Sequence, residues 1–321
     1  MFLSITFVIT GLILLWLSGE LAVRYSLQLA YLSGISTLII GFFFISISTG
    51  LPEFFVLFNA TWLKTPALAV GDIMGSNFFD LAMGLGIPAF FIRPILIEKN
   101  ELARTIYLLI STVLLILFIF AHQQLTFWHG LTLILMYFTI NLFFFKLRGQ
   151  NNMHKDNMAH IEKTLENEWI VTGIVGTCIK LILAVCVVLF AAHLTVTYAI
   201  ELTRLLGLPI AHFGATFIAL GTSLPELTLS LTAIKNKEYA LILGNAFGSI
   251  WNQGGLMLGI LTLLNPPSIN LLPIWHLLPF ALLAFTIVAF AVIQKRCIGR
   301  ITASLLIATY FSFILYEIIG F

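Results

Sequence analysis

Two glutamates, Glu53 and Glu226, lie deep inside long apolar runs, and each directly follows a proline, Pro52 or Pro225. A charge at bilayer depth costs at least ~2.5–3.5 kcal/mol on insertion scales, so such residues are functional candidates by default. Pro52 has no N–H for the carbonyl of Ser48, and Pro225 has none for that of Gly221. Both helices are expected to break there and release main-chain oxygens, which membrane depth tolerates only when they are buried in protein or line a cavity. Thr49 precedes Glu53 by four residues and Thr222 precedes Glu226 by four, so each pair shares a helical face. Further on, Asp72, Ser76 and Asp80 form an i, i+4, i+8 stripe whose counterpart is Asn245, Ser249 and Gln253. These ligands are carboxylates, hydroxyls, amides and carbonyls, without sulfur or imidazole. Such a set suits hard cations such as Ca²⁺ and Na⁺ and does not suit zinc or copper. Plainer roles stand beside this one: protonated structural carboxyls, hydroxyls bonded to helix carbonyls, and an interhelical amide at Gln253.

What must position these groups follows from composition. The chain has 321 residues, 60% hydrophobic and 9% charged. An ordinary soluble domain is about 45–50% apolar and about 25% charged, so a soluble enzyme, a disordered chain and a nucleic-acid binder are excluded. The apolar residues come in continuous runs and do not alternate, which disfavours a spanning barrel. Cys178, Cys186 and Cys297 form no CxxC pair and suggest neither a disulfide frame nor a zinc site. No basic n-region or cleavage pattern follows Met1, so the first segment is expected to stay as a spanning helix.

Runs near the ~20 residues a crossing needs lie at 3–24, 33–62, 66–92, 104–121 and 125–145, then at 170–200, 207–234, 238–264, 275–293 and 301–320. This predicts an all-α polytopic membrane protein of ten transmembrane helices. It divides into a five-helix repeat at 1–145, a hydrophilic linker at 146–168 and a second five-helix repeat at 169–321. The linker reads as a plain solvated connection. Loops after odd-numbered segments hold Arg24, Arg93, Lys99, Arg104, Lys146, Arg148, Lys155, Lys163, Lys235, Lys237, Lys295, Arg296 and Arg300, whereas the other side has Lys64 and Arg204. Lys180 lies inside segment 6 and can snorkel to the linker side. The positive-inside rule then puts the linker and odd loops in the cytoplasm and both termini outside.

An internal repeat joins these observations. An offset of 173 maps Gly41 to Gly214, Leu51-Pro52-Glu53 to Leu224-Pro225-Glu226, Gly75-Ser76 to Gly248-Ser249 and Gly86 to Gly259. Five segments per repeat is an odd number, so the second copy enters the membrane from the opposite face. Inverted repeats are the plan of secondary transporters, whose sites lie near the midplane at broken helices. Gly71 with Gly75, and Gly244 with Gly248, supply small-xxx-small faces for close helix approach. Glu20 and His193 are also related by the offset and are open to pairing, gating or, more simply, helix packing.

The doubled stretch resembles the two α-repeats of the sodium/calcium exchangers, within the cation/calcium antiporter superfamily. It stands here as Ser48-Thr49-Gly50-Leu51-Pro52-Glu53 with Gly71-Asp72-Ile73-Met74-Gly75-Ser76-Asn77, and as Gly221-Thr222-Ser223-Leu224-Pro225-Glu226 with Gly244-Asn245-Ala246-Phe247-Gly248-Ser249. The resemblance implies antiport of Ca²⁺ against Na⁺ by alternating access, in a bacterial-type exchanger of a plasma or inner membrane. It implies no enzyme activity and no resident cofactor. The partners would be small inorganic cations and the lipid bilayer, with no nucleic acid. Glu53 and Glu226 would be the central calcium carboxylates, Thr49 and Thr222 would add oxygens, and Ser76 and Ser249 would help form sodium sites. Asp80 and Gln253 occupy a pair where related exchangers often have Asn first and Asp second, so this chain reverses the order. Gly50 stands for the usual serine, Ile250 for an expected Asn, and Asp72 for a frequent Asn. Ser48, Asp72, Asn77, Gly221, Ser223 and Asn245 are secondary candidates. Glu53, Glu226 and Asp80 supply three negatives that match three Na⁺, or one Ca²⁺ plus a proton on Asp80, with Asp72 a candidate fourth negative; a proton/calcium exchanger is the alternative function and a cation channel a more distant one. Segments 1 and 6 would slide across a fixed core.

Overall fold

The structure, a computed structural model, describes residues 2–32, 49–97, 99–147, 173–235, 237, 239–265 and 268–319. Ser48, most of the expected segment 2 and nearly all of the linker lie outside them. The first half contains α1 (Phe2–Leu32), α2 (Leu51–Trp62), α3 (Pro66–Phe91), α4 (Lys99–Phe120) and α5 (Phe127–Leu147). The second contains α6 (Ile174–Leu206), α7 (Ile210–Thr222), α8 (Leu224–Lys235), α9 (Tyr239 to Leu264), α10 (Leu277 to Lys295) and α11 (Arg300–Ile319). Proline at the start of α2 and α3 suits the first helical turn, where its missing N–H costs no bond. Gly207 closes α6 at φ 68°, a left-handed conformation that a side chain would resist.

The helices respect the 173 offset. It carries the bounds of α2 onto those of α8, those of α3 onto α9, and α1 into α6. Among the described residues are four short strands that the sequence did not lead us to expect. β1 (Ile95–Leu96) pairs antiparallel with β4 (Cys297–Ile298), and β2 (Gln124–Thr126) with β3 (Ser268–Asn270). The offset relates β1 to β3 and β2 to β4, so the two ribbons map onto each other to within one residue of register. Each ribbon satisfies backbone groups where a loop leaves a helix end.

Among the described residues six helices are long and apolar enough to cross a membrane: α1, α3, α4, α6, α9 and α10. A seventh candidate is the pair α7–α8, bent by 40° at Ser223, which is the break expected at Pro225. α5 is a shorter apolar helix.

Burial sorts the helices into layers. Within their apolar spans 89% of α3 and 72% of α9 is buried, against 22% of α6. α3 and α9 form the core, while α1 and α6 pack on each other at the outside, with Phe7 stacked on Tyr198 at 4.4 Å between ring centres. Glycine permits the closest approach. A Cβ at Gly71 would lie 1.9 Å from the carbonyl oxygen of Ala211, one at Gly75 2.2 Å from that of Ala215, and one at Gly214 2.4 Å from that of Leu68. The backbones of α3 and α7 therefore touch, as the first small-xxx-small face predicts. At Gly244 nothing lies within 4 Å among the described residues.

Candidate cation site

The site starts at two helix beginnings. Glu53 lies in the first turn of α2 and Glu226 in the first turn of α8, where unpaired N–H groups favour a carboxylate. Opposite α8 stands the end of α7, whose last turn holds Gly221 and Thr222. Pro52 and Pro225 both face Gly19 of α1, at 3.1 and 3.4 Å from the position a Cβ would take. The two prolines, 173 residues apart in sequence, thus meet on one side of one helix.

The two repeats interlock at the level of single side chains. The Thr222 hydroxyl donates to Asp72 Oδ1 at 3.0 Å and lies 3.3 Å from Ser76 Oγ, joining α7 to α3. It also lies within 3.1 Å of the Ile218 carbonyl. Ser223 Oγ donates to Glu53 Oε1 at 3.5 Å. The Thr49 hydroxyl approaches Glu226, although among the described residues neither oxygen of Glu226 meets a donor at full hydrogen-bond geometry. Gln253 Nε2 donates to Asp80 Oδ2 at 3.4 Å, so a residue touches its own counterpart in the other repeat. Glu53 is near enough to Asp72, Asp80 and Glu226 to repel each of them, and Asp80 also acts on Glu226.

These groups are almost completely shielded. Glu53, Asp72, Ser76, Thr222, Ser223 and Gln253 are 0% exposed, and Thr49, Asp80, Asn77, Asn245, Glu226 and Ser249 are buried as well. Native proteins leave few buried polar atoms without partners. Here Glu53 Oε2, Asp72 Oδ2, Asp80 Oδ1, Asn245 Oδ1, Ser249 Oγ and Gln253 Oε1 have none among the described residues, and neither does either polar atom of Asn77. Except for the Asn77 amide, each is an oxygen with a lone pair to give, and several belong to carboxylates that repel one another. Cations satisfy both conditions at once: they accept lone pairs and cancel the repulsion. The chemistry of this set fits hard cations.

Most sequence candidates fall in this interior, though not all play the same part. Gly221 is held against α1, where a Cβ would lie 2.4 Å from Leu12 Cδ2, so its side faces packing. Glu20 and His193 do not pair: Glu20 bonds Arg24 one turn on, and His193 Nδ1 lies 3.1 Å from Asn59 Oδ1. Tyr310 on α11 was not singled out from the sequence. It is 2% exposed, stacks edge-on against Phe79 at 5.5 Å, has a hydroxyl without a partner among the described residues and lies in electrostatic range of Asp80. A tyrosine in a mostly apolar helix gives no sequence signal; only the packing of α11 along α3 brings it here.

Comparison with known proteins agrees with this architecture. The inner membrane protein YrbG of Escherichia coli is 26% identical over 92% of this chain and 90% of its own length. The sodium/calcium exchanger MaX1 of Methanosarcina acetivorans is 24% identical over 81% of this chain and 82% of its own. The fold matches that of the sodium-calcium exchanger NCX_Mj soaked with Na⁺ and Sr²⁺, with a TM-score of 0.66, 24% identity and 98% of both chains covered. The family described as sodium/calcium exchanger protein matches residues 3–146 and 177–319, and on that match this chain belongs to the sodium/calcium exchanger family.

Proposed function

We propose that the protein exchanges Ca²⁺ for Na⁺ by alternating access, with the cations bound near the bilayer midplane between two inverted five-helix repeats, 1–145 and 169–321, joined by a linker at 146–168. Glu53 and Glu226 carry Ca²⁺, with oxygens from Thr49 and Thr222. Ser76, Ser249, Asp80 and Gln253 line the sodium positions. One observation carries this reading: buried oxygens of both repeats, partly charged and without partners among the described residues, converge where α2 and α8 begin. The contact of Asp80 with Gln253, 173 residues apart, supports a two-fold axis through the site. The exchange of the two strand ribbons under the same offset supports an inverted arrangement.

Competition follows from shared ligands. Three Na⁺ balance Glu53, Glu226 and Asp80, and one Ca²⁺ leaves a charge for a proton to cancel, so the two loads exclude each other. Alternating access would move α1 and α6, which are exposed over most of their spans and pack mainly on each other. Both termini would be outside and the odd loops in the cytoplasm of a plasma or inner membrane.

Four buried carboxyls, Glu53, Asp72, Asp80 and Glu226, favour a second reading. They exceed the charge of one Ca²⁺ by two, so protons could serve as the counter-ion. Calcium uptake into proteoliposomes separates the two. Removing only the Na⁺ gradient abolishes uptake for sodium-driven exchange. Uptake that persists without Na⁺ and follows a pH gradient identifies the proton-driven exchanger.

A further inference from the structure

One cluster of metal-binding side chains lies apart from this interior. His212 begins α7, His276 immediately precedes α10, and Glu317 lies in the last turn of α11. His212 Nδ1 lies 2.6 Å from Glu317 Oε2, and His276 Nε2 bonds the other carboxylate oxygen. The two imidazoles stack at 4.9 Å with 7° between their planes, so both direct a nitrogen at the same carboxylate. One ligand atom from each residue lies within 4.8 Å of the other two. Glu317 is 3% exposed at its side chain, while the histidines are 16% and 20% exposed, which leaves a route from solvent.

We propose that His212, His276 and Glu317 bind a borderline-soft divalent transition-metal ion of the Zn²⁺ class, and that this ion restrains α7. Two imidazoles and one carboxylate are an ordinary zinc ligand set with a fourth position open to water, and ~2.0–2.1 Å bonds need only small adjustments of three side chains already converged. The same set rejects the cargo: Ca²⁺ and Na⁺ prefer all-oxygen cages. The 173 offset relates the three ligands to Ile39, Ala103 and Phe144, none of which binds metal. The cluster therefore has no counterpart at the offset positions of the first repeat. The distribution of Lys and Arg assigns the end that holds it to the outside.

Restraint follows from which elements the ion would join. α10 and α11 pack along the core helix α3. α7 continues from His212 through a π-helical stretch, Gly214–Ile218, to Thr222 and its bond to Asp72. An ion shared by the three elements ties the outer end of α7 to the core. We expect it to slow exchange, a consequence that rests on the exchange reading above.

The test uses the full chain purified through an affinity tag without histidine. Calorimetric titration with ZnCl₂ should show one ion per chain, and Zn²⁺ should raise the unfolding temperature because it binds the folded state. His212→Gln with His276→Gln should weaken binding at least tenfold and remove the thermal shift, as should Glu317→Gln. His129→Gln should change neither. Absence of binding at about 100 µM Zn²⁺, equal binding by the double variant, or displacement of Zn²⁺ by millimolar Ca²⁺ overturns the site. Outside Zn²⁺ should also lower calcium flux severalfold in the wild type and leave the double variant unaffected. Unchanged flux at saturating Zn²⁺ overturns the restraint of α7, whereas a protein that carries no calcium with Zn²⁺ absent overturns the exchange reading and leaves the calorimetry to decide the site.

Discussion

At the residue scale, the decisive feature is repulsion held in place. Glu53 is 0% exposed and lies in electrostatic range of three other carboxyl groups, and the side-chain donors that meet these carboxylates among the described residues include the Thr222 and Ser223 hydroxyls and the Gln253 amide. Removing one charge while keeping the shape separates binding from folding. Glu53→Gln and Glu226→Gln should each abolish calcium flux in proteoliposomes yet elute as folded protein in size-exclusion chromatography; normal transport by either variant would end the assignment. Asp80 meets an amide rather than a second carboxylate at its counterpart position. Asp80→Asn should therefore change the dependence of flux on Na⁺ concentration and pH more than the calcium concentration for half-maximal uptake. A calcium shift of tenfold or more, with unchanged sodium dependence, contradicts it.

At the element scale, the contact of α3 with α7 sets the position of the site. These helices touch through main-chain atoms at Gly71, Gly75 and Gly214, so neither can absorb an added methyl by turning a side chain. Overpacking of a core typically costs about 1–3 kcal/mol, and a collision with main chain falls at the high end. Gly75→Ala should lower the unfolding temperature in detergent by several degrees and reduce flux, whereas Gly84→Ala, where nothing among the described residues lies within 4 Å, should do neither. The break between α7 and α8 is equally local. Pro225→Ala restores an N–H opposite the Gly221 carbonyl. It should slow exchange severalfold, measured as initial calcium uptake, with less effect on unfolding temperature than Gly75→Ala.

At the scale of the whole molecule, direction matters. Five segments per repeat, as the apolar runs predict, would make the two halves run oppositely, and the charges of the loops would then choose a face. A cysteine placed at Lys64 should react with an impermeant maleimide added outside intact cells. Cys297, in the β4 strand among Lys295, Arg296 and Arg300, should react only after the cells are opened. Labelling of both from the same side refutes the inverted layout.

The amino-acid order alone determined the membrane class and the approximate bounds of α3 and α9, and it singled out polar residues that the structure buries. Those properties are local or periodic: apolar run length, proline after a hydroxyl-bearing turn, and the 173-residue recurrence of Leu-Pro-Glu and Gly-Ser. Short range also explains what was missed. Two-residue ribbons such as β1–β4 depend on loops more than 200 residues apart, and such pairing leaves no periodic trace. The same holds for Tyr310 beside Asp80 and for His212, His276 and Glu317, which are single polar residues on three separate segments. Tertiary structure alone decided that Thr222 bonds Asp72, that Ser223 reaches Glu53 and that Asp80 meets Gln253. Each contact crosses from one repeat to the other, and the glycine-lined approach of α3 to α7 determines which oxygens come within reach.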